Sequence, residues 1–334
     1  MTASTEIRLA ARPHGTPVPT DFETVRTDVA DPGPGQLLVR NTLMSVDPYM
    51  RGRMDDRKSY VPPFQLGQPL DGGAVGEVVA SAADGFAPGD TVLHGLGWRE
   101  YALVEAASAV KVDPARAPLG AYLGVLGMTG MTAYAGLLRT AEFKAGDVVF
   151  VSSAAGAVGQ VAGQLAKLKG AARVIGSAGS AEKVAYVRDE LGFDAAFDYH
   201  DGPVRDLLKA AAPEGIDVYF DNVGGDHLEA AISSLKVHGR VCVCGMISVY
   251  NATEPVPAPR NLAQVIGKRL TIRGMLVRDH RDLRDQFLED VAPRVADGAI
   301  RYRETVFDGI DKAVDAFLGM LRGDGIGKVL VKIG

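Results

Sequence analysis

Short apolar runs alternate with helical periodicity over the second half of the chain. Runs rich in β-branched residues at 148–151 and 173–177 flank a segment, 160–169, whose apolar residues recur at helical spacing. A further helical pattern covers 227–237. Four more apolar runs predict strands at 195–199, 216–223, 240–246 and 270–275. Strands that alternate with helices are typical of an α/β fold with a parallel, doubly wound sheet.

The turn between the first of these strands and its helix carries the dinucleotide-binding pattern with one departure. The three small positions of G-x-G-x-x-G are Ala154, Gly156 and Gly159, so the first holds alanine. Gly156 lets the backbone approach a pyrophosphate, and Gly159 lets the helix pack on the strand. Ala157 and Val158 lead to the helix N-terminus, whose free N–H groups attract phosphate. We predict a dinucleotide site; the alternative is a packing turn without ligand.

The residues that end the second strand favour NADPH over NADH. NAD enzymes of this type carry an acid about 20 residues on, where it bonds the ribose 2′-hydroxyl. Here positions 176–180 read Gly-Ser-Ala-Gly-Ser, which offers Ser177 but no acid. Lys183 follows within reach, and Glu182 is expected to face away. Small residues and a cation suit a 2′-phosphate, so we predict NADPH; the alternative for Lys183 is a solvated helix residue.

Residues at the carboxyl ends of the later strands are further candidates, because doubly wound sheets bind their ligands there. This rule selects Tyr199, Asn222, Gly245, Met246 and Tyr250. Of these residues, Tyr250 carries a phenol that is neutral at pH 7 and suits proton donation, since the unperturbed pKa of a phenol is about 10.

The first part of the chain predicts a β-rich, barrel-like domain. Strand-like runs occur at 36–41, 73–81, 91–94 and 100–105, separated by Pro-Gly turns. A closing strand at 327–331 is expected to return to this domain. We therefore predict a substrate domain at 1–118 and a dinucleotide-binding domain at 119–295. Residues 296–334 are predicted to return to the substrate domain.

Two other segments offer candidate site residues. The Asp-Pro turn at 47–48 projects Tyr49 and Arg51, although ordinary loop packing is the simpler interpretation of this segment alone. Thr129 and Gly130 lie in a Gly-rich stretch that is flexible enough to lie against a ligand. Close helix packing through glycine is the alternative there.

Composition narrows the class of protein. A chain of 334 residues predicts two domains, and its net charge of −5 without a basic run makes nucleic acid and anionic membrane poor partners. No apolar stretch reaches transmembrane length and no signal core is present, so we predict the cytoplasm. Cys242 and Cys244 are the only cysteines. Two cysteines cannot build a four-thiolate zinc lobe, and we interpret both as core residues.

Taken together, the motifs resemble those of the medium-chain dehydrogenase/reductase superfamily over nearly the whole chain. They are most similar to the zinc-free branch of prostaglandin reductases, leukotriene hydroxydehydrogenases, curcumin reductases and alkenal double-bond reductases. The matching stretches are SVDPYMR (45–51), GMTGMTAYAGLL (127–138), SAAGAVGQVAGQLAKLKG (153–170), GSAGSAEK (176–183), GIDVYFDNVGG (215–225), CGMISVYN (244–251) and GKVLVKI (327–333).

The resemblance implies a GroES-like domain beside a Rossmann domain, a homodimer, and NADPH-dependent reduction of the carbon–carbon double bond of enones and enals. It implies that Lys183 binds the 2′-phosphate, that Tyr199 lies by the adenosine, and that Asn222 contacts the ribose or pyrophosphate. Met246 would lie near the nicotinamide, and Tyr250 beside the substrate carbonyl.

In this mechanism hydride adds to the β-carbon, and Tyr250 donates to the oxygen on which enolate charge develops. Tyr49 would help line the pocket. The alternative for Tyr250 is a loop aromatic that shields the nicotinamide. One departure concerns a C-terminal asparagine of the family that touches the cofactor, since Gly325 takes its place here.

Three other functions are alternatives to this one. A zinc alcohol dehydrogenase needs ligands that 44–47 (Met-Ser-Val-Asp) and 67–69 (Gly-Gln-Pro) do not offer as a set. A quinone oxidoreductase shares the zinc-free fold, although the DPYMR and ISVYN segments favour the alkenal branch. An NADPH-binding sensor or structural protein would bind cofactor without oxidation by any enone.

Overall fold

The computed structural model describes residues 1–334 and divides into two compact units. The first contains Met1–Leu123 and Glu304–Gly334, and the second contains Gly124–Arg303. No helix combines the length and the apolar character needed to cross a membrane.

Fifteen strands and ten α-helices make up the two units, with short 3₁₀ and π turns between them. The strands are β1 Thr2–Leu9, β2 Phe22–Val29, β3 Gln36–Ser45, β4 Ala74–Ser81, β5 Thr91–His94, β6 Tyr101–Glu105, β7 Val110–Lys111, β8 Val148–Val151, β9 Arg173–Ala178, β10 Ala195–Asp198, β11 Ile216–Asp221, β12 Leu235–Val243, β13 Thr271–Gly274, β14 Glu304–Asp308 and β15 Lys328–Lys332. The helices are α1 Tyr49–Arg53, α2 Leu119–Leu123, α3 Met128–Ala135, α4 Gly159–Leu168, α5 Ala181–Ala185, α6 Val204–Ala211, α7 Gly225–Ser234, α8 Gln264–Lys268, α9 Arg284–Ala296 and α10 Ala313–Arg322.

The second unit is built on a six-stranded parallel sheet in the order β10-β9-β8-β11-β12-β13. Its central strands β8 and β11 are buried along almost their whole length because helices cover both faces of such a sheet. Phe150 on β8 and Tyr219 and Phe220 on β11 are fully buried. Since β8 and β11 begin the two halves of the sheet and lie side by side, their carboxyl ends form the switch point at which doubly wound sheets bind ligands.

The six strands predicted for this part of the chain are confirmed, with two corrections at element ends. The helix predicted over 227–237 ends at Ser234, because Leu235 turns to extended backbone and begins β12 with its side chain buried. Cys242 lies in β12 as expected, whereas Cys244 lies one residue beyond the strand. Both thiols are unpaired, and burial raises the pKa of each.

The first unit contains a sheet in the order β14-β15-β3-β4-β5-β7, with β6 also paired to β3. The four strands predicted between 36 and 105 are confirmed, and β3 continues to Ser45. The antiparallel pair β1–β2 is not predicted by the sequence pattern, because charged residues at its outer positions interrupt any apolar run.

Three aromatic rings form the centre of the first unit's core. The rings of Phe22, Trp98 and Phe317 pack with centroids 6.5, 6.1 and 6.0 Å apart. Phe317 belongs to α10, so the C-terminal segment packs into the same core as the N-terminal strands.

Candidate active site

The glycine turn after β8 is closed by short backbone contacts. The amide of Ala154 donates to the carbonyl of Ser177 (2.9 Å), which joins the turn to the end of β9. A β-carbon at Gly159 would collide with the carbonyl oxygen of Ser153, so α4 can begin this close to the strand only with glycine. Gly156, Ala157 and Val158 are only partly buried and lead directly into α4. The turn therefore keeps an accessible backbone in front of a ten-residue helix.

Alanine at the first small position is accommodated by a neighbouring glycine. Ala154 is fully buried, and its methyl group lies 2.7 Å from where a β-carbon on Gly176 would stand. The departure from the glycine pattern thus leaves the turn intact, with the methyl group directed into the sheet.

The end of β9 holds a buried hydroxyl that has no partner within the protein. Ser177 is fully buried and its Oγ makes no hydrogen bond. Three residues further on, Ser180 accepts from the amide of Lys183 (3.3 Å) and so caps α5. This cap places Lys183, which is partly buried, in the first turn after the strand, while Glu182 is exposed. That Glu182 faces away from the cofactor stays a prediction.

Tyr199, beyond β10, lies over the segment that follows β9. Its hydroxyl is 2.8 Å from where a β-carbon on Gly179 would stand. Its ring meets His227 of α7 edge to face at 5.4 Å, and His227 in turn stacks on Phe150 at 6.5 Å. His227 is buried, which lowers its pKa to about 4, and its Nε2 has no partner. Sequence reasoning missed His227, because only the fold brings α7 to Tyr199.

Asp221 organises the turn that follows β11. Its Oδ1 accepts from the Tyr219 hydroxyl (2.7 Å) and from the amides of Val223 (2.9 Å) and Gly224 (2.8 Å). The other oxygen, Oδ2, is buried without a partner, and burial raises the pKa of this carboxyl. Asn222 is held by Ser152, to whose carbonyl its side-chain amide donates (2.8 Å). Asn222 is thereby fixed beside the start of the glycine turn.

The segment after β12 folds back onto its own start. The amide of Met246 donates to the Tyr250 hydroxyl (3.3 Å), and that hydroxyl lies 3.4 Å from where a β-carbon on Gly245 would stand. The Met246 side chain covers Gly224, with its Cε 2.8 Å from a β-carbon built there. The structure thus brings the Asn222 turn, Met246 and Tyr250 together at the carboxyl edge of the sheet.

Helix α3 contributes a second unpartnered hydroxyl. Thr129 is buried and its Oγ1 makes no hydrogen bond. A β-carbon at Gly130 would collide with the carbonyl of Val125 and lie 3.1 Å from Phe287. Close packing accounts for glycine at 130, and a contact of its backbone with cofactor stays a prediction.

Tyr49, in the first unit, begins α1 and packs against that unit's core. Burial, and secondarily the charge of Asp47, raises the pKa of its phenol. Arg51 is buried and donates to the carbonyl of Gly15 (2.9 Å) and to Asp55 (2.8 Å), and these two contacts are those of loop packing. Gly325 lies against Val329 and Thr305 of the same unit, with 3.0 and 3.3 Å to a β-carbon built on it.

The carboxyl edge of the second sheet fits a dinucleotide. The accessible glycine turn leads into the N-terminus of α4. The amides of Gln160 and Val161 donate to the carbonyls of Gly156 and Val158 in that turn, and the positive end of the helix dipole favours a phosphate there. Ser177 Oγ and Thr129 Oγ1 are buried polar atoms that still need partners. No acid occupies the end of β9, and no group of three or more His, Cys, Asp or Glu side chains is placed to hold a metal ion.

Comparison with known proteins agrees with this geometry. A family model described as the N-terminal domain of oxidoreductase matches residues 5–112, and one described as zinc-binding dehydrogenase matches residues 157–292. The chain is 44% identical to YfmJ of Bacillus subtilis (strain 168), with 100% of this chain and 99% of that protein covered. It is 42% identical to the NADPH-dependent curcumin reductase of Escherichia coli (strain K12), with 97% and 95% covered. The chain belongs to the zinc-free branch of the medium-chain dehydrogenase/reductase family.

A solved structure extends the likeness of this reductase to three dimensions. CurA of Vibrio vulnificus in complex with NADPH is 38% identical, with a TM-score of 0.93 and 99% of both chains covered. A quinone oxidoreductase of Escherichia coli complexed with NADPH is 22% identical, with a TM-score of 0.78 and 98% and 99% covered, and it shows only a shared fold. The family expected from the motifs is confirmed.

Proposed function

We propose that this reductase uses NADPH to reduce the carbon–carbon double bond of α,β-unsaturated ketones and aldehydes. Its relatives of about 40% identity include proteins named curcumin reductase, 2-alkenal reductase, pulegone reductase and prostaglandin reductase. The observation that carries the proposal is the Tyr250 hydroxyl, held by the Met246 amide at the carboxyl edge where the cofactor is expected. A phenol at this place is a donor for a carbonyl oxygen.

The cofactor is held by residues of the second unit. The backbone of Ala154, Gly156, Ala157, Val158 and Gly159 takes the pyrophosphate at the N-terminus of α4. The other assigned contacts are Lys183 to the 2′-phosphate, Tyr199 to the adenosine, Asn222 to the ribose or pyrophosphate, and Met246 to the nicotinamide. Thr129, Gly130 and Ser177 are the remaining residues assigned to cofactor binding.

When bound, NADPH would supply the hydride for the β-carbon of the enone. Tyr250 donates a hydrogen bond to the carbonyl oxygen, where negative charge develops as the enolate forms. The Met246 amide occupies an acceptor site of the same hydroxyl, which orients it and strengthens it as a donor. The α-carbon takes its proton from water or a tyrosine, and Tyr49 contacts the substrate.

Oxidation of NADPH at 340 nm with nonenal, a phenyl enone, an oxo-prostaglandin and a quinone tests the function. We expect saturated carbonyl products from the enone and enal. Tyr250→Phe should lower kcat on the order of 100- to 1000-fold without changing the Kd for NADPH, because it removes the donor to the enolate oxygen. Tyr122→Phe, which removes a hydroxyl bonded to the carbonyl of Asp113 in the first unit, is the matched control and should be silent.

Other outcomes would redirect the proposal. Turnover of quinone alone would make the protein a quinone oxidoreductase. Tight NADPH binding without turnover of any enone would indicate a sensor or structural protein that binds the cofactor. Full activity of Tyr250→Phe would make Tyr250 a shielding aromatic.

A second test concerns the choice between NADPH and NADH. Lys183→Ala should raise the KM for NADPH by about tenfold or more and leave the KM for NADH unchanged, because a charge-assisted bond to the 2′-phosphate contributes about 1.5–3 kcal/mol. Lys167→Ala, which removes a partly exposed lysine of α4 that pairs with Asp194, is the control. An equal effect on both cofactors would contradict the assignment.

We further propose a homodimer in the cytoplasm. The sheet of the second unit ends in β13, an edge strand with Ile272 exposed, and Ile266 nearby in sequence is 82% exposed. Unpaired edge strands can pair with a second chain.

Two unpaired thiols suit a reducing compartment such as the cytoplasm. We also propose that the two compact units are the substrate and Rossmann domains expected at 1–118 and 119–295, with 296–334 as the C-terminal return.

A further inference from the structure

A buried lysine at the start of the closing strand reaches the segment that carries Tyr49. Lys328 is 1% exposed. Its Nζ donates to the carbonyl of Val46 (2.7 Å) and to Oδ1 of Asp47 (2.9 Å). One ammonium thus holds a main-chain oxygen and a side-chain oxygen of two successive residues.

Both carboxylate oxygens of Asp47 accept hydrogen bonds. Asp47 is 3% exposed, and its second oxygen accepts from the Ser45 hydroxyl. The backbone continues the attachment, since Val46 donates to the carbonyl of Val329 (3.2 Å) and β15 pairs with β3 at Ser45. We call Lys328, Asp47, Ser45 and the Val46 carbonyl the clamp.

The clamp sets the start of α1. The carbonyl of Asp47 accepts from the amide of Met50 (3.2 Å), so the residue held by Lys328 also forms the first bond of the turn that presents Tyr49. Tyr49 lies two residues after Asp47. A shift of Asp47 would therefore move the origin of the helical turn, and the phenol with it.

We propose that Lys328 is a positioning residue that fixes Tyr49 for the enone through Asp47 and Val46. The proposal rests on the proposed function, in which Tyr49 contacts the substrate. Removing only the lysine would leave a buried carboxylate without its counter-ion, which is a large loss of stability in itself. Neutralising both partners removes that penalty and leaves the loss of position.

The test compares Lys328→Met with the double variant Lys328→Met/Asp47→Asn. We expect the double variant to regain the melting temperature of the wild type. Its kcat/KM for the enone should stay lower on the order of 10- to 100-fold, through KM, because small displacements of a substrate contact cost that much. The Kd for NADPH should not change. Lys111→Met, which removes an exposed pair with Asp90 in the same unit, is the control.

A double-mutant cycle identifies Tyr49 as the residue through which the clamp acts. In a Tyr49→Ala background, the paired substitution at 328 and 47 should cause no further loss of kcat/KM, because the two changes remove one interaction. Additive losses would overturn the proposal. Recovery of both stability and kcat/KM in the double variant would show a structural ion pair only, and failure of the double variant to fold would show a requirement of folding.

A measurement without substrate separates this proposal from the proposed function. In protein labelled with 3-fluorotyrosine, the ¹⁹F resonance of Tyr49 is assigned by its loss in Tyr49→Phe. It should shift in the double variant and stay unchanged in Lys111→Met. An unchanged resonance would overturn the clamp even if the wild type reduces enones. A shifted resonance in a protein that reduces none would uphold the clamp while the function fails.

Discussion

On strands β3, β5 and β15 of the first unit's sheet, buried polar side chains are bonded within the protein, whereas Glu304 Oε1 on β14 and several atoms at the carboxyl edge of the second unit's sheet are not. In the first, Lys328 and Asp47 satisfy each other in the clamp. Both ring nitrogens of His94 are also used: Nε2 meets Asn41 Oδ1 (2.8 Å), and Nδ1 accepts from the amide of Leu96 (3.1 Å). These networks lie on β3, β5 and β15.

At the edge of the second sheet, comparable atoms are left open. Ser177 Oγ, Asp221 Oδ2 and His227 Nε2 are buried without a partner. A buried polar atom without a partner costs about 1–3 kcal/mol, so a fold retains such atoms where something else satisfies them. We interpret the open atoms at this edge as groups that await a ligand, in contrast to the bonded groups on β3, β5 and β15.

The largest effect should come from breaking the clamp on one side. Lys328→Met should lower the free energy of unfolding by about 3–5 kcal/mol, because Asp47 is left charged and buried. Urea denaturation measures the change. Restoration by Asp47→Asn in the same chain distinguishes lost charge compensation from lost packing, and a single variant as stable as the wild type would contradict the account.

Acid should weaken both regions through their buried histidines. Burial lowers the pKa of His94 and of His227 to about 4, below the ordinary 6.5. Between these two pH values the histidines are protonated in the unfolded chain but not in the folded chain. Stability therefore falls as the pH drops from about 6.5 to 4. Each histidine contributes up to about 3 kcal/mol to this loss.

Substitution of each histidine separates the two regions. His94→Gln should flatten the pH dependence and lower stability at pH 7, because Asn41 and Leu96 lose a fitted partner. His227→Phe should flatten it without loss at pH 7, since the unpartnered Nε2 disappears and the stacking on Phe150 stays. Denaturation curves at several pH values give both results; equal losses at pH 7 would erase the contrast.

The smallest effect comes from single hydroxyls. Ser177→Ala should leave the melting temperature of the free protein unchanged or raised, and should raise the Kd for NADPH about 2- to 10-fold by removing one neutral hydrogen bond. Ser45→Ala, the matched change in the clamp, should cost about 1.5–3 kcal/mol of stability, because it removes a bond to a charged group, and leave the Kd unchanged. Fluorescence titration gives the Kd for NADPH of both variants, and thermal melting gives their stability. A raised Kd in Ser45→Ala together with lost stability in Ser177→Ala would refute the comparison.

Local pattern was sufficient for much of the second unit. The strand at Val148–Val151, the turn and α4 follow from apolar periodicity and from glycines whose neighbours leave no room for a side chain. Such signals lie within one short stretch of chain. The same reasoning selected Tyr250 by its place after a strand. Its hydrogen bond with Met246 could not be predicted, because it depends on how the turn after that strand folds.

The sequence by itself determined the doubly wound sheet, the dinucleotide turn and the family, because each is written in contiguous residues. Only the tertiary structure decided that Lys328 meets Asp47 across 281 positions, that β1 pairs with β2, and that His227 lies under Tyr199. Those contacts depend on which elements become neighbours. That choice is made by the burial of whole faces, and no local spacing of residues records it.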